Sequence, residues 1–153
     1  MKIEEILSEE LVLPDLNARS KVDVLVELAT AIARRHPELD RERLVQALED
    51  RERLNSTALG EGVAIPHGKL PGIKRVFAAF ARSRQGVDFQ SLDGEPTHLF
   101  FLLVAPEDSA GAHLKALARI SRLFKQPALR KAILEADGAA AIYRLISEED
   151  AKY

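Results

Sequence analysis

Two of the four histidines in this sequence stand where an imidazole could do chemistry. His67 follows Ile65-Pro66 and precedes Gly68-Lys69. Proline fixes its own φ and favours an extended residue before it. Glycine lets the chain turn or approach another surface closely. The string presents a ring rigidly at the end of a strand, as a nucleophilic histidine requires: a neutral, exposed nitrogen aimed outward. On its own it also reads as a histidine that merely fills a turn. His113 lies in Ser109-Ala110-Gly111-Ala112-His113-Leu114, near a predicted helix start where first-turn amides would suit a phosphate. A first-turn histidine touching solvent is the plainer alternative. Arg51 closes a predicted helix upstream of His67, and a guanidinium fork matches phosphate oxygens. Pairing with Glu49 or Glu52 would explain Arg51 equally well. His36 at a helix end and His98 at a strand start have structural readings, and Lys69 reads as a surface lysine.

Other chemistries lack their residues. The histidines have no close ligand spacing, and neither HExxH nor an EF-hand pattern occurs, so no metal site is expected. With no GxxxxGK[ST] or GxGxxG, no bound nucleotide cofactor is expected, and the serine elbow GxSxG is missing too.

The elements that must position these side chains follow from periodicity. Leu11-Val12-Leu13 predicts a strand stopped by Pro14-Asp15. Ser20, with Asp23 in capping-box position, opens a helix whose buried face is Val22, Leu25, Val26, Ala29, Ile32 and Ala33. It should end near His36, before Pro37. Asp40 caps a second helix, stapled by Leu39 and Leu44 and closed by Glu49 to Arg53. From Asn55 to Lys69 the helical period vanishes, and Val63-Ala64-Ile65 reads as a strand between glycine-rich turns. Further strands are predicted over Val76–Ala81 and Thr97–Ala105, the latter apolar enough to be covered on both faces. Val87-Asp88-Phe89 and the turn at Leu92 to Glu95 predict a short edge element between them. Three helices then follow, around Leu114–Phe124, Leu129–Ile133 and Ile142–Ile146. This order predicts an α/β fold, a mixed β-sheet flanked by helices on both faces.

Composition agrees with one domain spanning residues 1–153. Hydrophobic residues make up 46% of the chain, enough for a sizeable core. The absence of cysteine removes disulfides and fits a reducing compartment. No apolar run approaches the roughly 20 residues a bilayer requires. The acidic N-terminus is unlike a secretory signal. A cytoplasmic protein is expected. A net charge of -2, without a basic stripe, argues against nucleic acid as a partner.

The ordered string decides among these readings. Arg51-Glu52-Arg53-Leu54, then Ser56 through Lys69 (STALGEGVAIPHGK), resembles the active-site stretch of enzyme IIA domains of the fructose–mannitol class. These domains belong to the phosphoenolpyruvate-dependent phosphotransferase system. Leu99 to Val104 and His113 to Ser121 are similar to that family's later strand and helix, so the resemblance covers about residues 3–148. It implies that His67 is the phosphorylated histidine, His113 the second active-site histidine and Arg51 the arginine that neutralises phosphate charge. It also implies an HPr-type phosphate donor and no cofactor. The short chain with its HGKL run is more similar to the nitrogen-regulatory branch, which serves regulatory target proteins. The alternative is a stand-alone component passing phosphate to a IIB domain for fructose or mannitol uptake. A non-catalytic binding module with the same fold would be marked by loss of the acceptor or its arginine, and all three residues are present. An apolar docking rim is expected from Ile65, Leu70 or Ile73. Acceptor activity is expected to fall below about pH 6.5, the unperturbed histidine pKa.

Overall fold

The computed structural model describes all residues, Met1–Tyr153. Its centre is a strand too apolar to face water. β6 (Thr97–Pro106) carries Leu99 through Ala105 buried without a break, so both faces of the sheet must be covered there. On one side β6 pairs antiparallel with β5 (Phe77–Val87), which pairs parallel with the two-residue β1 (Val12–Leu13). On the other side two short strands share one edge. β3 (Val63–Ala64) runs parallel to β6 at Leu99 and Phe100, and β4 (His67–Leu70) is parallel to it from Leu103 to Pro106. β2 (Ala58–Gly60) closes that edge antiparallel to β3. The result is a mixed six-stranded sheet.

Helices cover it. α1 (Lys21–Arg35) packs on β5, and α2 (Arg41–Leu54) packs on β4 and on α1. α3 (Ala110–Phe124) lies against β6, α4 (Pro127–Glu135) against α3, and α5 (Ala139–Asp150) against β1. Ser20 caps α1 by accepting from the Asp23 amide, and Asp40 caps α2 by accepting from the Arg43 amide, both as expected. Phe80, Phe101 and Phe124 stack across the sheet–α3 interface with centroids 5.7 to 6.0 Å apart.

Three details differ from the sequence-based expectations. β5 continues past Ala81 to Val87, and of the predicted edge element only Val87 is strand; Asp88 and Phe89 are irregular. A register shift between Arg82 and Val87, with Gly86 at φ +84, lets the strand bend and carry on. The strand predicted at Val63–Ile65 ends at Ala64, and beyond Ile65-Pro66, where proline cannot donate to a ladder, a further strand that the sequence did not predict, β4, begins at His67. Finally, Gly68 makes no turn. It sits inside β4, where an added Cβ would stand 3.3 Å from the Ala47 Cβ of α2. Its role is the close approach of helix to strand.

Candidate active site

That close approach brings the last turn of α2 over the first residue of β4. Arg51 and His67, far apart in the chain, meet there: Arg51 Nε donates to His67 Nε2 at 3.2 Å. The same guanidinium donates from its η1 nitrogen to the backbone and side-chain oxygens of Asn55, at 3.0 and 3.1 Å. Asn55 thereby both ends α2 and aims the arginine. Pairing of Arg51 with Glu49 or Glu52, the alternative left open above, is not what the fold adopts. Glu49 pairs with Arg53, and Glu52 turns inward to Lys21.

The other ring nitrogen of His67 faces its own backbone. Nδ1 lies 2.8 Å from the Ile65 carbonyl, which can only accept, so Nδ1 carries the proton. Nε2 is left with its lone pair, accepting from Arg51. The ring is partly buried, and burial is the main cause that lowers its pKa below the ordinary histidine value. The Ile65 carbonyl opposes this, and the Arg51 charge adds to it. The expected loss of acceptor activity therefore moves to a pH more acidic than 6.5.

His113 joins them from the first turns of α3. Its ring centroid lies 5.2 Å from that of His67, tilted by 54°. It is only 6% exposed, so the alternative of a first-turn histidine touching solvent does not hold. Its Nδ1 is buried without a hydrogen-bond partner. Burial, then the neighbouring His67 and Lys69, lower its pKa to about 4. Lys69, read from sequence as a surface lysine, is exposed. It lies two residues beyond His67 on the same face of β4. The signal that could have found it was this two-residue strand spacing, hidden because β4 was not foreseen.

The expected docking rim does not form as predicted. Ile65 and Leu70 are 3% and 4% exposed and belong to the core: Leu70 pairs with β6 at the end of β4, and Ile65 sits in the link between β3 and β4 with its amide bonded to the Thr57 carbonyl; only Ile73 is partly open. Two largely exposed apolar residues are near these residues in the chain: Leu54, three beyond Arg51, and Leu114, next to His113. A cleft of about 680 Å³ lies at the far end of α3, between Phe124, Lys125 and Arg130, and is lined by none of His67, His113 and Arg51. No group of three or more histidine, cysteine or carboxylate side chains is arranged to hold a metal ion.

Similarity to known proteins places this arrangement in a family. Residues 5–149 match the family described as "Phosphoenolpyruvate-dependent sugar phosphotransferase system, EIIA 2". The chain is 43% identical, over 96% of its length and 95% of the relative's, to a nitrogen regulatory protein of Bradyrhizobium diazoefficiens. It is 38% identical, over 98% of its length, to 24% of the fructose-specific EIIABC component of Bacillus subtilis. The crystal structure of the nitrogen regulatory protein IIA-Ntr of Neisseria meningitidis is similar. Its TM-score is 0.88 at 34% identity, over 94% of this chain and 98% of that one. The chain belongs to the EIIA 2 family of the phosphoenolpyruvate-dependent sugar phosphotransferase system.

Proposed function

We propose that this protein is a cytoplasmic phosphocarrier that accepts a phosphoryl group on His67 Nε2 from an HPr-type donor, in a nitrogen-regulatory relay. The observation that carries the reading is the division of labour on one ring: Nδ1 donates to the Ile65 carbonyl while Nε2 keeps its lone pair at the surface beside Arg51.

In the transfer, the bond between phosphorus and the donor atom breaks, and that atom keeps the electron pair. The Nε2 lone pair forms the new N–P bond in line with it. The transition state is loose, so the protein chiefly positions the groups and stabilises charge on the equatorial oxygens. Arg51 exchanges its bond to Nε2 for bonds to the arriving oxygens, a charge-assisted pairing. His113, neutral at physiological pH, offers a ring nitrogen to the same oxygens. Because the Nδ1 proton stays on the ring, the phosphorylated imidazole is cationic and leaves as a neutral ring in the next transfer. The reverse step therefore needs no proton from elsewhere.

The regulatory branch is favoured by the 43% identity to a nitrogen regulatory protein over nearly the full length of both chains. A second reading, passage of phosphate to a IIB domain for sugar uptake, is favoured by the match to the fructose-specific EIIABC component. Incubation with phosphoenolpyruvate, enzyme I and each HPr type tests both. Acid-labile phosphate that disappears in His67→Ala is the expected result, and labelling that survives this substitution overturns the assignment. Labelling by the nitrogen-branch donor alone supports the relay; onward transfer to a fructose IIB supports transport.

A further inference from the structure

Beside Arg51 stands a carboxylate that the transfer chemistry leaves unused. Glu52 is 8% exposed, at the end of α2, and does not pair with its arginine neighbour. Burying a carboxylate is costly unless its oxygens are well satisfied. Here three donors satisfy it. Lys21 Nζ of α1 lies 2.8 Å from Oε1, the Thr57 amide donates to Oε1 at 3.1 Å, and the Thr57 hydroxyl makes a short bond to Oε2. Lys21 is itself held over the Phe89 ring and bonded to the Gln90 side chain at 3.1 Å. The carboxylate is thus clamped from the α1 side and grips the loop on the other.

What it grips leads to the acceptor ring. The Thr57 carbonyl accepts from the Ile65 amide at 3.1 Å, and the Ile65 carbonyl accepts from His67 Nδ1 at 2.8 Å. Successive bonds in this series use different peptide groups, so the link is mechanical: it fixes where the Ile65 carbonyl points. That carbonyl belongs to the Ile65-Pro66 peptide, whose following φ is already restricted by proline. A carbonyl aimed at Nδ1 selects the tautomer with the proton there, which leaves Nε2 as the nucleophile.

We propose that Glu52 is a positioning residue for phosphoryl transfer: through Thr57 and Ile65 it holds His67 in the Nδ1–H tautomer and aims Nε2 at the donor. The proposal rests on His67 being the acceptor. Glu52 orients the ring through the loop and makes no hydrogen bond to it, although its charge reaches His67 and opposes the lowering of its pKa.

The test reads the tautomer directly and needs no phosphate. Long-range proton–nitrogen NMR of the full chain at pH 8, where the rings are neutral, reports which nitrogen of His67 carries hydrogen. In the wild type a single Nδ1–H form is expected. Glu52→Ala should give a mixture of tautomers and slow transfer from the HPr-type donor at least roughly tenfold, a ratio equal to about 1.4 kcal/mol of barrier. Glu52→Gln keeps an acceptor for the Thr57 amide and a polar group for its hydroxyl, so it should restore both. A folded Glu52→Ala with one Nδ1–H tautomer and unchanged transfer overturns the proposal, as does a Glu52→Gln no better than alanine. If the alanine variant does not fold, Thr57→Val tests the same link by deleting only the hydroxyl bond. An unshifted single tautomer there also overturns it. Failure of the wild-type protein to label at His67 would instead sink the phosphocarrier reading, and would leave the tautomer result standing.

Discussion

At the scale of single residues, the site is two imidazoles kept uncharged by being partly taken out of water. His113 has its pKa lowered to about 4, and His67 is shifted in the same direction by burial first and Arg51 second. Nitrogen-resolved NMR titration should find His113 neutral at pH 5, with His67 titrating below 6.5. Phosphate acceptance should accordingly persist at pH values where a free imidazole, with its pKa of about 6.5, is mostly protonated. The sign for stability follows from linkage. The unfolded chain binds this proton more readily than the folded one, so acid favours unfolding. The His113 contribution is intact above about pH 6.5 and is lost as pH falls towards 4. Urea unfolding at pH 7 and pH 4.5 should show this loss, and His113→Gln should reduce it. Arg51 belongs at this scale too. Arg51→Lys keeps the charge but cannot bond His67 and Asn55 together as the fork does. Losing a charge-assisted bond of about 1.5–3 kcal/mol should slow transfer roughly ten- to a hundredfold, measured as the initial rate of labelling. A lysine variant as fast as the wild type would show that the fork geometry is immaterial.

At the scale of elements, the site exists because α2 comes unusually close to β4, and Gly68 permits it. A side chain there would press on Ala47, whose Cβ would be 3.3 Å from the first added carbon. Gly68→Val should cost about 1–3 kcal/mol by overpacking. It should also separate Arg51 from His67, so that transfer falls more than the stability change accounts for. Thermal unfolding beside labelling kinetics at 25 °C separates the two effects. This contact also marks the limit of what could be read from the chain. The five helices, with the caps at Ser20 and Asp40, were legible because the 3.6-residue period and capping chemistry are local. The central strand was legible because an unbroken apolar run has few alternatives. β2 and β4 were not: unlike the short apolar runs at β1 and β3, Ala58–Gly60 and His67–Leu70 contain glycine or polar residues, and pairing partners elsewhere in the chain define them. Misplacing β4 had consequences at the site. Ile65 and Leu70 read as docking-rim residues although both are buried, Leu70 as the last paired residue of β4, and the face that His67 and Lys69 share is not visible without that strand. His67, His113 and Arg51 themselves were legible only as an ordered string. Their spacing alone left turn, solvent and ion-pair readings open, and tertiary packing is what brings the three together.

At the scale of the whole molecule, segments far apart in the chain are tied together where its two ends meet. A buried carboxylate near the C-terminus does much of this. Asp150, the last residue of α5, is 2% exposed. Its Oδ2 accepts from the Ile3 amide at 2.7 Å and its Oδ1 from Arg119 Nε at 2.5 Å, while Arg119 also donates to the Asp150 carbonyl. One side chain therefore ties the first turn of the chain, the last helix and the middle of α3. Arg119 lies between His113 and the Phe80–Phe101–Phe124 stack, so the tie fixes α3 where its two ends have separate tasks. Removing one partner of a buried ion pair leaves the other uncompensated, at a cost of about 3–5 kcal/mol. For a chain of about 150 residues, each kcal/mol moves the unfolding midpoint by roughly 2–4 °C. Asp150→Ala should therefore lower Tm by roughly 6–20 °C. Labelling of His67 at 15 °C should nonetheless proceed at close to the wild-type rate, because none of these bonds reaches the acceptor ring. The double variant Asp150→Ala/Arg119→Met should recover part of the loss, since it removes the stranded charge as well. If it recovers nothing, the ion pair is not what joins the two ends, and the Ile3 amide bond alone must be credited with holding them.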